Sequence, residues 1–103
     1  MKRINGYSKE LANQLLEDLT LYLVGPNPAP QKKYVDNKPT DEIAGYHVWC
    51  ATEEDNPFKI KFLPEDEPDL SGFSIGDEVV FENLEAIQID NRIYFRAQKI
   101  KKA

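Results

Sequence analysis

Cysteine occurs once in this chain, at Cys50, and histidine once, at His47. A lone cysteine excludes an intramolecular disulfide and any CxxC metal knuckle, and this usage points to a reducing compartment, by default the cytoplasm. The two residues are i and i+3, so on a strand they face opposite ways and form no Cys–His nucleophile pair. No G-x-S-x-G, H-E-x-x-H, G-x-x-x-x-G-K-[ST] or G-x-G-x-x-G occurs, so the nucleophile-elbow, zinc-protease, P-loop and dinucleotide sites lack their local signatures. Long apolar runs are missing too. None of signal-peptide length follows the charged start Met1 to Gly6, and none approaches the ~20 residues of a membrane span. The expectation is a non-enzyme with no catalytic residue, no cofactor, no metal, no small-molecule substrate and no membrane partner.

What is present suffices for one core. The 103 residues are 41% hydrophobic and 30% charged, which suits a single domain over 1–103 and not a disordered chain. The net charge of −5 argues at first against nucleic acid, whose phosphates demand Lys and Arg. Its distribution is uneven: residues 1–40 carry six bases and four acids, residues 41–90 two and fourteen, and residues 91–103 five bases and no acid. The acids collect in apparent loops.

Ser8 is a good N-cap, and Leu11, Leu15, Leu16 and Leu19 recur at helical spacing, predicting a short helix within an N-terminal extension over residues 1–18. Leu19 to Val24 reads as a strand stopped by Gly25, Pro26, Pro28 and Pro30, which open a proline-rich loop over 25–40. Ile43 to Thr52 and Pro57 to Leu63 then form a predicted hairpin across Glu53-Glu54-Asp55-Asn56. In the first run Tyr46, Val48 and Cys50 share one face, His47 and Trp49 the other. In the second, Phe58, Ile60 and Phe62 alternate with Lys59 and Lys61. Pro64 to Asp69 is an acidic loop, and a Gly76-Asp77 turn introduces a buried run ending at Phe81. Leu84 to Ile89 and Arg92 to Ile100 read as a terminal hairpin about Asp90-Asn91, with Ile93, Phe95 and Ala97 inward and Arg92, Tyr94, Arg96 and Gln98 outward. The expected fold class is mainly β: a small five-stranded OB-like barrel with one short N-terminal helix, the alternative being an SH3-like barrel.

The outward residues of three runs make the candidate site. His47 and Trp49, Lys59 and Lys61, and Arg92, Tyr94 and Arg96 interleave rings with cations, a pattern suited to single-stranded DNA because each base offers a π-face and each nucleotide a phosphate. The plain alternative is a solvated face with Trp49 tucked under a loop or helix. The basic end Lys99-Ile100-Lys101-Lys102 reads as a solvated terminus able to add phosphate contacts. The acidic stretches Glu53 to Asp55 and Glu65 to Asp69 lack calcium-loop spacing and read as solvated loops, or as docking points for a basic protein or a mimic of DNA.

Four pieces in order carry a family resemblance: Lys38-Pro39-Thr40-Asp41-Glu42-Ile43-Ala44-Gly45-Tyr46, a strand closing on Phe62-Leu63-Pro64, Phe73 to Asn83, and Arg92 to Ile100. Together they resemble the YdcP-like family of small proteins encoded on conjugative elements of Gram-positive bacteria, over roughly residues 19 to 100. The resemblance implies an OB-like barrel and an accessory role in plasmid or conjugative-element replication, beside a helicase or relaxase. It transfers no catalytic residue, and the N-terminal helix and proline-rich loop depart from it.

Overall fold

A computed structural model describes residues 6–103. The charged start Met1 to Asn5, noted above, lies outside the described residues. Ser8 caps the first helix as its sequence predicts: its extended backbone breaks the helical path and its Oγ accepts from the Leu11 N–H at 3.2 Å. Helix α1, Lys9–Leu16, ends two residues before the expected Asp18, which takes a positive φ of 62°. Ser8 also bridges to Ala86, so this segment is tied to the sheet and buries Ala12 against it.

Eight strands follow: β1 Leu21–Leu23, β2 Ala29–Val35, β3 Lys38–Ala51, β4 Phe58–Phe62, β5 Glu78–Glu82, β6 Glu85–Ile89, β7 Arg92–Arg96 and β8 Lys99–Lys102. They form one open sheet in the order β6-β7-β4-β3-β1-β5-β8, with β2 also on β3. The mainly β class with one short helix stands. The five-stranded OB-like barrel does not, because the sheet has eight strands and is open, with β6 and β8 at its ends.

Two of the extra strands have clear physical origins. The expected loop over 25–40 is mostly a hairpin: Ala29 to Val35 pair with Lys38 to His47 across Asp36-Asn37, whose φ values of 51° and 64° are those of a primed two-residue turn. Pro30 is tolerated because β2 pairs only with β3, leaving one side where no N–H is required. The ladder is irregular between Gln31 and Tyr34, as bulges would make it. The expected final strand Arg92 to Ile100 is split. Ala97 N–H donates to the Lys61 carbonyl and Gln98 N–H to the Glu82 carbonyl, so the chain steps across at 97–98 and β8 pairs with β5. The acidic loop contains one 3-10 turn, Pro64–Asp66.

Strand β3 organises the rest. Over Tyr46–Cys50 it pairs with β4, over Cys50 and Ala51 with β1, and its first half carries β2. Gly45 is required where these partners converge, since a Cβ there would stand 2.6 Å from the Phe62 carbonyl oxygen. The inward side chains Leu23, Val48, Cys50, Ile60, Phe62 and Val79 are fully buried, with Leu70 from the loop before β5 covering them. Phe62 packs tilted against Phe81 at 6.2 Å between centroids. Among the described residues no helix is long and apolar enough to cross a membrane.

Candidate nucleic-acid interface

The phases of β3, β4 and β7 agree on the outward face. His47 stands opposite Lys61 and Trp49 opposite Lys59 in the antiparallel β3–β4 ladder, and β7 joins β4 in parallel with Lys61 beside Arg96. Trp49 is 38% exposed and Tyr94 42%, so neither ring is enclosed in the core.

Their shared surface is a groove of about 530 Å³. Trp49 and His47 come from β3, Lys59 and Lys61 from β4, Tyr94 from β7, with Gln31 of β2 and Tyr7 at the margins. The lining also includes Phe58, Ile93 and Phe95 of the opposite phase. Both phases can reach one groove because the β4–β7 ladder holds only the pairs Ile60–Phe95 and Lys61–Arg96 and ends before Lys59 and Tyr94. Phe58 and Phe95, 5.2 Å apart, give it an apolar, aromatic floor. No carboxylate lines it.

Two local devices hold the rings. A Cβ on Gly25 would lie 3.3 Å from the Trp49 Cβ, so the glycine lets the indole settle on the chain leaving β1, where Val24 N–H donates to the Trp49 carbonyl. Lys59 Nζ lies 5.5 Å from the centroid of the same indole, in cation–π range. His47 is half-buried between lysines. Burial first, then Lys59 and Lys61, hold its pKa below the ordinary 6.5, so the ring is neutral at pH 7.

Of the seven residues expected on this face, five line the groove: His47, Trp49, Lys59, Lys61 and Tyr94. Arg92 is exposed at the start of β7, outside the lining. Arg96 is committed elsewhere: its Nε and Nη2 donate to Glu85 Oε1 at 3.2 and 2.8 Å, and its guanidinium lies 4.0 Å from the Tyr7 ring centroid. Tyr7, like Gln31, is a site residue that sequence reasoning missed. Its place depends on the bridge between Ser8 and Ala86, distant in sequence, and no local pattern announces it. The basic end is likewise not a loose terminus. It is strand β8, with Lys101 paired to Glu82 and Lys102 to Asp77.

Cys50 lies in the core with its thiol pushed up to about 12 by burial. Among the described residues no three His, Cys, Asp or Glu side chains gather as a metal-binding group. The fold and groove define a small mainly β protein with an aromatic, cation-flanked cleft in its sheet. Comparison with family models, curated proteins and solved structures found no match, so the YdcP-like resemblance rests on its four short pieces.

Proposed function

We propose that the chain is a non-catalytic accessory protein of plasmid or conjugative-element replication that binds single-stranded DNA in the groove. The observation carrying this is the composition of the lining. In a chain with eighteen acids, this groove holds Trp49, Tyr94, Lys59 and Lys61 and no carboxylate. Rings at Trp49 and Tyr94 stack bases, and the ammonium groups of Lys59 and Lys61 meet phosphates, displacing counterions. The replication setting and the helicase or relaxase partner rest on the sequence resemblance alone.

A fluorescent twelve-nucleotide DNA titrated at low salt tests it, with an RNA of the same sequence to separate the two sugars. Saturable binding is expected, lost steeply with salt, with Trp49→Ala weakening it ~5- to 150-fold, the equivalent of roughly 1–3 kcal/mol of stacking. No saturable binding to the DNA sinks the reading.

The fourteen acids of residues 41–90 favour a second reading, an adaptor without DNA affinity whose acidic loops, Glu53 to Asp55 and Glu65 to Asp69, dock a basic protein. In that case charge reversal across Glu65 to Asp69 abolishes stimulation of an unwinding partner, and Trp49→Ala leaves it intact.

A further inference from the structure

Resting on the nucleic-acid reading of the groove, we infer that it discriminates between bases, with Gln31 and His47 as the residues that read the base edge. Phosphate contacts carry no sequence information and stacking only a modest preference, since every base has a π-face and every nucleotide the same charge. Base edges can be told apart by a group that presents donor and acceptor together, as a carboxamide does. Gln31 and His47 supply that set on one margin of the groove.

The register explains why they are neighbours. Ala29 pairs with His47 and Gln31 with Gly45, so Gln31 follows two residues along β2 on the face that carries the imidazole. The carboxamide offers N–H donors and a carbonyl acceptor; the neutral imidazole offers one of each. Among the described residues neither side chain has a hydrogen-bonding partner within the protein. Trp49 and Lys59 form the next pair on the same face of the β3–β4 ladder beyond His47 and Lys61. A base stacked on the Trp49 ring therefore has its edge within the region that Gln31 and His47 border, while its phosphates follow Lys59 and Lys61 on β4.

Twelve-nucleotide dA, dC and dT homopolymers titrated against the full chain and Gln31→Ala test this. The wild type is expected to spread their affinities by roughly fivefold or more, the low end of what a base-edge contact discriminates. Gln31→Ala is expected to bring the three within twofold of one another by lowering the affinity of the favoured homopolymer toward that of the other two. Gln31 is exposed on an edge strand, so its replacement leaves folding intact, as a thermal melt will verify; His47→Ala provides a second variant with the same expected collapse of the spread. Equal binding of the three by the wild type, or a spread that survives both substitutions, overturns the inference and leaves the groove's DNA binding standing. Absence of binding to all three overturns both.

Discussion

The ammonium of Lys59 lies over the Trp49 indole, 5.5 Å from its centroid, from the position directly opposite Trp49 in the β3–β4 ladder. A base that stacks there displaces the ammonium, which then becomes available to a phosphate. Lys59→Ala is therefore expected to lower the slope of log affinity against log salt by about 0.7, the contribution of one phosphate on a single strand, while preserving the quenching of Trp49 fluorescence on binding. An unchanged slope removes Lys59 from the contact set. Trp49 is the only tryptophan, so the fluorescence signal has one source.

Arg96 belongs to the fold more than to the groove. Both donors that reach Glu85 share one oxygen, and the pair is about a quarter to a third exposed. Arg96→Ala leaves a partly buried carboxylate without its partner and bares the Tyr7 ring, so a loss of about 1–2 kcal/mol is expected in urea unfolding. The affinity of the folded variant for single-stranded DNA is expected to stay within about twofold of wild type, far less than one stacking or charge-pair loss. A tenfold loss returns Arg96 to the phosphate contacts.

Gly45→Ala is expected to be among the most damaging single-atom additions. The new Cβ meets a carbonyl oxygen at 2.6 Å and the Lys61 Cε at 3.0 Å. The lysine can yield but the Phe62 backbone cannot without disturbing the Tyr46–Phe62 pair, so a loss of ~1–3 kcal/mol is expected, read from the denaturant midpoint.

His47 couples the site to pH with opposite signs for folding and binding. Its folded pKa lies below the ordinary 6.5, so the unfolded chain takes the proton more readily. The associated stability is fully present above pH 6.5 and is lost as pH falls through the folded value. A polyanion seated against Lys59 and Lys61 offsets the repulsion they exert, so affinity is expected to rise as pH falls below 6.5. His47→Gln flattens both trends; pH profiles of melting and of oligonucleotide binding, run in parallel, check the signs.

Alternation made most of the groove legible. Phe58-Lys59-Ile60-Lys61-Phe62 has one arrangement that buries its apolar members, and once the β3–β4 register follows, His47 and Trp49 must face the same way as the lysines. Pairings between distant segments were not legible. Nothing in the chain near Phe95 declares that it lies beside Ile60 in parallel, nor that residues beyond Ala97 leave that neighbour for Phe81. The 25–40 segment departs from the expected loop for a different reason. Pro30 belongs to the proline run that reads as a strand stop, yet it pairs where a strand has only one neighbour, and Asp36-Asn37 carries the same turn chemistry as Asp90-Asn91. Of the latter pair only Asp90 has a positive φ, so the better primed turn lay in the segment read as a loop.

Strand β2 is exposed along nearly its whole length, and the matching half of β3 is covered only partly. A two-stranded ribbon without a packed face is marginal on its own, so this hairpin can open while the body of the sheet stays closed. Amide hydrogens of Lys32 to Glu42 are therefore expected to exchange with deuterium long before those of Val48 or Ile60, at rates set by local fraying and not by global unfolding. Because Gln31 sits at the root of that ribbon, one wall of the groove is hung on its most easily melted element, and a bound strand that steadies this wall should slow exchange along the whole hairpin.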